Sequence, residues 1–319
     1  MATDSIGRAV VFPGQGSQAV GMGQSLANFS LRARETFEEI DEALGEPLSQ
    51  LMFKGPEDEL TLTQNAQPAL MAVGIAALRV LEEESGKSLD QLANYVAGHS
   101  LGEYTALAAA GAIELGETAR LLRLRGLAMQ SAVPVGAGAM AAILGAEFDA
   151  VRKIAADASS KGVCDLANDN APGQLVVSGA KVAVEEAVRI AEVRGIRRAI
   201  MLPVSAPFHC ALMAPAAERM AAALAETKIQ APSVPLIPNV LAKPGSGLPD
   251  DIRGHLVEQV TGMVRWRESV IWMAANGVTT ILEVGAGKVL TGLHKRIDRS
   301  LVASAVGEHG KIASIVPQL

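Results

Sequence analysis

The chain has 319 residues, 49% of them hydrophobic but only 3% aromatic, and its formal net charge at pH 7 is −6. This length suffices for one large domain or two modest ones, and a core of Ala, Val, Leu and Ile favours a helix-rich α/β protein over an aromatic-rich β-sandwich. The negative charge argues against nucleic-acid binding as the main task, and an acidic partner would need a local basic patch.

The two cysteines, Cys164 and Cys210, lie in separate segments without CxxC spacing. This count argues against a disulfide framework or a zinc site and fits a reducing compartment. The amino-terminal segment MATDSIGRAVVF has no apolar h-region, and no run approaches ~18 uninterrupted apolar residues. We therefore expect a soluble, cytoplasmic protein without a membrane segment.

In the first part of the chain, short apolar runs alternate with longer helical ones. This alternation predicts a parallel sheet with helices on both faces. The pattern predicts strands at 9–12 and 94–97, and helices at 31–44, 66–84, 101–110 and 117–131.

The middle of the chain has a different order of elements. Pro134, Gly136 and Gly138 precede a β-α-β-β-α-β series, which is the ferredoxin-like pattern. We expect a small domain, 133–203, inserted into a larger α/β domain made of 1–132 and 204–319. The strands of the insert are predicted at 139–144, 163–167, 174–178 and 197–202, and its helices at 149–158 and 182–194.

The large domain resumes after Pro203 and Pro207. Its remaining helices are predicted at 212–226, 251–260 and 268–276, and its remaining strands at 236–240 and 280–284. The last strand leads into the glycine-rich run GAGKVLTG.

Ser100 lies in the motif GHSLG, residues 98–102, where a predicted strand becomes a helix. A G-x-S-x-G motif in this context is typical of a nucleophile elbow, in which small flanking residues let the serine occupy a strained turn at a helix N-terminus. The alternative is an ordinary serine N-cap.

A nucleophilic serine needs a base, and five histidines are available. His209 lies in a proline-punctuated loop, VSAPFHCALMAP, at the return from the insert, where catalytic side chains tend to be found. The other four histidines fit less well. His99 directly precedes the serine, so its side chain should point away from it. His255 and His294 are expected on solvated helix faces, and His309 lies in the tail. By elimination His209 is the best candidate for the base; the alternative is a structural histidine, which is the more common role of a lone histidine in a loop.

Arg125 lies on the apolar stripe of its predicted helix, four residues from both Leu121 and Met129. A buried guanidinium must be paired, and no acid lies at helical spacing. Its partner is therefore a distant Asp or Glu or the carboxylate of a ligand, and the helix alone does not decide between them.

Residues 10–23, VVFPGQGSQAVGMG, follow the first predicted strand. Gly14, Gly16 and Ala19 satisfy a relaxed dinucleotide-binding pattern, but Pro13 and the absence of a following βαβ unit argue against it. The alternative is a loop whose amide N–H groups face the site as oxyanion donors.

Six motifs occur in order along the chain and together resemble the malonyl-CoA:acyl-carrier-protein transacylases of bacterial fatty-acid synthesis. The resemblance extends from Val10 to about Leu293. The motifs are FPGQGSQ (12–18), GHSLGEY (98–104), RLRGLAMQ (123–130), SAPFHC (205–210), VRW (264–266) and EVGAGKVLTGL (283–293).

The resemblance implies a role for each matching position. Ser100 would be the acylated nucleophile and His209 its general base. The amides of Gln15 and Leu101 would form the oxyanion hole, and Arg125 would bind the malonyl carboxylate.

Three further implications concern the base, the substrate and the fold. The main-chain carbonyl of Gln259, a substrate-site residue in the family, would orient His209, although EQVTGMVRW matches the family only loosely there. Phe208, directly before His209, resembles the residue found at this position in malonyl-selective members of the family. The implied fold is an α/β-hydrolase-like parallel-sheet core with the ferredoxin-like insert, and the site lies between them.

The implied activity is transfer of malonyl from malonyl-CoA to holo-acyl carrier protein by a ping-pong mechanism, with CoA thioester as substrate and neither cofactor nor metal. We expect a monomer that binds no nucleic acid. The alternatives are a serine thioesterase or esterase using the same Ser-His pair, a polyketide-type acyltransferase, and a non-catalytic carrier-protein binding module.

An acidic carrier protein would need a basic rim on this acidic chain. The candidates are Arg194, Arg197, Arg198, Lys288, Lys295 and Arg296, each of which could equally be ordinary solvated surface.

Overall fold

The computed structural model describes residues 7–319, which form a mixed α/β structure with one parallel and one antiparallel sheet. The amino-terminal segment MATDSIGRAVVF therefore lies partly outside the described residues. The strands of residues 7–319 are β1 (Arg8–Phe12), β2 (Tyr95–Gly98), β3 (Gly138–Leu144), β4 (Cys164–Ala171), β5 (Gln174–Ala180), β6 (Arg198–Met201), β7 (Leu236–Ile237), β8 (Thr280–Val284) and β9 (Val302–Val306).

The helices surround the two sheets. They are α1 (Gln24–Phe29), α2 (Leu31–Leu44), α3 (Leu48–Lys54), α4 (Glu57–Thr61), α5 (Thr63–Ser85), α6 (Leu89–Leu92), α7 (Gly102–Ala109), α8 (Leu115–Ser131), α9 (Phe148–Ala158), α10 (Lys181–Val193), α11 (Ala214–Glu226), α12 (Pro249–Thr261), α13 (Trp266–Ala275), α14 (Val289–Ile297) and α15 (His309–Ile315). None of these helices is long and apolar enough to cross a bilayer.

The five-stranded sheet has the order β7-β2-β1-β8-β9, and every pair in it is parallel. Its central strand β1 is apolar on both faces because helices cover both. Val10 and Phe12 belong to one core cluster, and Ala9 and Val11 belong to another on the opposite side. The predicted parallel sheet is confirmed.

The four-stranded sheet has the order β4-β5-β3-β6 with every pair antiparallel. Helices α9 and α10 cover one face, where Ile143 and Val177 contribute to a shared core. The alternate residues Met140 and Val176 point to the other face and pack beside Phe208. This second face looks toward the parallel sheet and becomes one wall of the site.

A short parallel bridge joins the segment before α13 to the antiparallel sheet. Val264 exchanges main-chain hydrogen bonds with β4, its N–H donating to Ala167 O at 2.9 Å and its carbonyl accepting from Asp169 N at 2.9 Å. Arg267 adds a bidentate ion pair to the buried Asp169 carboxylate at 2.7–3.0 Å. Asp169 is thus a structural partner of Arg267 and does not contact His209.

Two strands of the parallel sheet differ from the sequence predictions. The strand predicted at 236–240 ends at Ile237, because Pro238 has no N–H to continue the ladder. Strand β9 was not predicted. It lies at the sheet edge, where its half-exposed residues show neither a continuous apolar run nor a regular alternation.

The prediction that His294 lies on a solvated helix face is wrong. His294 is fully buried in α14, in the same apolar stripe as Leu290 and Leu293, and its ring stacks on Trp266 with centroids 5.8 Å apart. Neither ring nitrogen has a hydrogen-bond partner within residues 7–319. Its position four residues after Leu290 was the available signal for burial.

Replacing His294 with Leu should stabilise the fold. Burial lowers the pKa of His294 to about 4, below its unfolded value, so this residue's contribution to stability is present above pH ~6.5 and is lost as the pH falls toward 4. Leu removes the unpartnered nitrogens, and we expect the free energy of unfolding at pH 7 to rise by about 1 kcal/mol.

Denaturant unfolding between pH 4 and pH 7 measures both effects. In H294L the loss of stability on acidification should be smaller than in the wild-type chain. An unchanged pH dependence would contradict the assigned burial of a neutral imidazole.

Candidate active site

Ser100 occupies a strained turn between β2 and α7. Its φ is +53°, in the left-handed region that few non-glycine residues adopt. Neither flanking glycine could carry a side chain, since a Cβ on Gly98 would lie 1.9 Å from the Gly102 carbonyl and one on Gly102 would lie 2.3 Å from Phe12 O. The Ser100 hydroxyl bonds to His209 rather than to the helix amides. The geometry is therefore that of a nucleophile elbow and not of an N-cap.

His209 approaches the serine hydroxyl with its Nε2 atom, 2.8 Å from Ser100 Oγ. Its Nδ1 faces two main-chain carbonyls, Gln259 O at 2.9 Å and Gly262 O at 3.1 Å. Carbonyl oxygens only accept, so Nδ1 carries the proton and the lone pair of Nε2 accepts the serine O–H. This tautomer is the one that a general base requires.

The imidazole of His209 is neutral over the physiological pH range. Burial, reinforced by the positive charge of Arg125, lowers its pKa to about 3. The free base form therefore persists well below pH 7.

Arg125 is buried, with 1% exposure, on the side of α8 that faces Ser100. Its Nη1 donates to Gln67 Oε1 at 2.8 Å, and its Nη2 donates to Gln259 Oε1 at 2.8 Å and to Ser100 Oγ at 3.2 Å. No carboxylate of residues 7–319 forms an ion pair with this guanidinium, and its Nε has no partner among them. Of the two possibilities left open by the sequence, an internal acid partner is therefore not found.

Gln15 and Leu101 lie on either side of the serine. Both border the same cavity as Ser100, and the main-chain N–H of neither donates a hydrogen bond within residues 7–319. A chain of side chains holds the Gln15 loop, since Thr63 donates to Gln15 Oε1 at 2.9 Å and accepts from Gln67 at 2.8 Å. Two free amides beside a nucleophile can stabilise an oxyanion.

The cavity between the sheets has a volume of about 490 Å³. One side carries Ser100, His209 and Arg125, and the other is apolar, formed by residues of β3, β5 and the loop after β6. The apolar wall consists of Met140, Val176, Leu202, Val204 and Phe208. No group of three or more His, Cys, Asp or Glu side chains in the described part of the chain is arranged to hold a metal ion.

The structure thus brings together all six residues named from the sequence, with Gln259 behind the cavity. Asn239 and Glu103 are functional candidates that sequence reasoning missed. Asn239 Oδ1 accepts from Ser100 N–H at 2.7 Å, and its Nδ2 donates to Gly98 O at 2.6 Å. The available signal was position: Asn239 follows the carboxyl end of a parallel strand, where site residues gather.

The candidate basic residues fall into two groups. In the first, Arg194 is paired with Asp157, and Arg198 lies opposite Leu144, at the end of β6 that is remote from the cavity. The second group is exposed in and just before α14, next to the glycine loop after β8, where a Cβ on Gly287 would lie 3.4 Å from Ser17 Cβ. It comprises Lys288, Lys295 and Arg296.

Comparisons with known proteins agree on one family. The acyl transferase domain family matches residues 9–319. A malonyl CoA-acyl carrier protein transacylase of Escherichia coli K12 is 46% identical over 306 residues, covering 96% of this chain and 97% of the relative.

Two solved structures are also similar. The crystal structure of an acyl-carrier-protein S-malonyltransferase from Bartonella henselae has a TM-score of 0.95 and 52% identity, and 98% of each chain is covered. A malonyl-transacylase solved in complex with a type II polyketide acyl-carrier protein has a TM-score of 0.94 and 41% identity, covering 98% of this chain and 99% of the other.

The low pKa of His209 predicts how Ser100 reactivity responds to pH. An organofluorophosphonate, which modifies activated serines, should label Ser100 at nearly the same rate from pH 8 to pH 5, because the imidazole stays neutral. A histidine with an ordinary pKa would slow labelling by about 30-fold at pH 5. Intact-mass kinetics measure the rate, S100A serves as the unlabelled control, and a midpoint near pH 6.5 would contradict the expectation.

Proposed function

Because the chain belongs to the acyl transferase domain family, we propose that it transfers malonyl from malonyl-CoA to the phosphopantetheine thiol of holo-acyl carrier protein. One observation carries the choice of acyl group: the buried guanidinium of Arg125 has no carboxylate partner among residues 7–319, and its Nη2 lies 3.2 Å from Ser100 Oγ. A malonyl ester on Ser100 would carry a free carboxylate two carbons from its carbonyl. The planar fork of Arg125 suits its capture.

The first half-reaction acylates the serine. Nε2 of His209 takes the Ser100 proton while Oγ attacks the thioester carbonyl, and the Gln15 and Leu101 amides stabilise the tetrahedral oxyanion. Collapse of this intermediate breaks the C–S bond, and His209 returns the proton to the leaving CoA sulfur. The products are the malonyl ester and free CoA.

The second half-reaction repeats these steps with a new acceptor. His209 takes the proton of the phosphopantetheine thiol, whose sulfur attacks the ester carbonyl. The C–O bond breaks and the proton passes to Ser100 Oγ, which regenerates the enzyme. Every proton moves through Nε2, and no step needs a metal or redox cofactor.

Selectivity follows from the desolvated guanidinium. An acetyl group in the same cavity would leave Arg125 without an anionic partner, and a buried unpaired charge is penalised more than a simple lost contact. The bulky side chain of Phe208 forms part of the apolar wall opposite, which supports a short unbranched diacid as the acyl group.

We extend the proposal to the domain division. The parallel sheet, with an elbow after β2, serves as an α/β-hydrolase-like core formed by 1–132 and 204–319. The order β4-β5-β3-β6, with two helices on one face, supports a ferredoxin-like insert over 133–203.

The proposed partners are malonyl-CoA and holo-acyl carrier protein. We propose that the protein acts on them as a monomer in the cytoplasm and that it binds no nucleic acid. The solved complex of a similar malonyl-transacylase with a carrier protein supports such a partner. Of the two basic groups, we propose the one at α14 as the carrier-protein rim, because Lys288 follows the carboxyl end of β8, at the same edge of the parallel sheet where Ser100 follows β2.

Substituting Arg125 with Ala tests the proposed substrate. We expect kcat/KM for malonyl transfer to fall by about 100-fold, because a buried charge pair is lost, while acetyl transfer holds or rises. The measurement is transfer to holo-acyl carrier protein from malonyl-, methylmalonyl- and acetyl-CoA. R120A is the matched control, since Arg120 is exposed on the same helix and forms ion pairs with Glu114 and Glu117, away from the cavity.

Other outcomes identify the alternatives. Equal loss with malonyl and acetyl donors would make Arg125 structural. Rapid release of malonate without an acceptor thiol would identify a thioesterase. A preference for methylmalonyl-CoA as the donor would identify a polyketide-type acyltransferase. Unchanged transfer in S100A would indicate a non-catalytic binding module.

A further inference from the structure

Glu103 is a buried acid that the proposed transfer steps do not use. It lies in the first turn of α7, three residues after Ser100, and has 0% exposure. Burial raises its pKa to about 7, and the positive charge of Arg125 opposes this rise. A carboxyl group held this deep must be satisfied by hydrogen bonds from the protein.

A single oxygen of Glu103 accepts from two separate segments. Oε2 accepts from the main-chain N–H of Asn239 at 2.9 Å and from Nε2 of Gln259 at 2.8 Å. Asn239 follows β7 and Gln259 lies in α12, so this atom joins two elements to α7.

The same two residues hold the peptide groups on both sides of the nucleophile. Asn239 Oδ1 accepts from Ser100 N–H at 2.7 Å, and Gln259 Nε2 donates to Ser100 O at 3.0 Å. A non-glycine residue at φ +53° has a strained backbone. The surrounding bonds must hold this conformation, and both converge on Glu103.

Glu103 also determines which way the Gln259 amide points. The amide NH₂ faces two acceptors, Glu103 Oε2 and Ser100 O, so its oxygen must face Arg125, whose Nη2 donates to it at 2.8 Å. The position of the guanidinium therefore depends on an amide that Glu103 orients.

We infer that Glu103 is the positioning residue of this site, acting through Asn239 on Ser100 and through Gln259 on both Ser100 and Arg125. Glu103 supplies an acceptor oxygen at the distance from the α7 backbone that lets it bond to both Asn239 N and Gln259 Nε2. Its other oxygen, Oε1, has no partner among the described residues, so a proton there leaves both bonds at Oε2 in place. A neutral isostere should consequently replace it.

Three substitutions separate reach from charge. Glu103→Gln keeps the acceptor at the same reach without the charge, Glu103→Asp keeps the charge but withdraws the oxygens, and Glu103→Leu keeps neither. Glu82→Leu is the matched control, because Glu82 is a half-buried acid with a raised pKa that accepts from a main-chain N–H, Leu89 N at 2.9 Å, away from the cavity.

The readout is the rate of Ser100 labelling by an organofluorophosphonate, with thermal unfolding to establish that each variant is folded. We expect E103L to be labelled about 100-fold more slowly and E103D about 10-fold more slowly, since small displacements of reacting groups have effects of this size. E103Q should stay within about 3-fold of the wild-type rate, and E82L should match the wild-type rate.

The order of the rates decides the inference. Labelling of E103L at the wild-type rate would overturn it. If E103L does not fold, the other pair decides: E103Q faster than E103D supports positioning by the oxygen, and E103D as fast as or faster than E103Q overturns it.

The inference depends on the proposed function only for the acyl group, and the two can fail separately. Ser100 labelling uses no malonyl donor. A wild-type chain that is labelled but transfers no malonyl to holo-acyl carrier protein contradicts the proposed function, while the order of the Glu103 variants still tests positioning. In the transfer assay, E103L should raise KM for malonyl-CoA as well as lower kcat, because Arg125 shifts with Gln259.

Discussion

A buried guanidinium that has no carboxylate partner in the described part of the chain governs the arrangement of this site. Arg125 donates hydrogen bonds to the amide oxygens of Gln67 and Gln259 and to the Ser100 hydroxyl. Its Cζ lies 5.6 Å from the centre of the Tyr104 ring. These neutral contacts satisfy part of the cation's hydrogen-bonding capacity and none of its charge. The site is consequently complementary to an anion next to the nucleophile.

The base and the cation must coexist within one small volume. The positive charge of Arg125 disfavours protonation of His209, and burial acts in the same direction, so the imidazole remains a neutral base. The acid Glu103 stands one amide further back, behind Gln259, and leaves the face of Arg125 toward the cavity free. Placing the acid directly on the guanidinium would have blocked the anion site.

Sequence reasoning was effective where local patterns carry the information. The G-x-S-x-G motif placed Ser100 in its turn, and helical spacing indicated that Arg125 is buried, because each depends on neighbours within a few residues. The identity of Arg125's partners could not be read from the helix, since Gln67 and Gln259 come from α5 and α12.

The features that were missed depend on contacts distant in sequence. Asn239 holds Ser100 across 139 residues, and no spacing rule connects them. Strand β9 exists because β8 offers an edge, and its own half-exposed side chains carry little signal. His294 was misread because charged neighbours outweighed its place on an apolar stripe.

The two carbonyls that orient His209 come from the main chain at the end of α12 and the residue after it. In a serine–histidine–carboxylate triad a side chain does this work and can be deleted by one codon change. Here every amino acid supplies the same oxygen, so substitution at Gln259 or Gly262 cannot remove the acceptor itself. Only a change in backbone path could do so, so the orientation of the imidazole depends on the local fold and not on the identity of one acidic side chain.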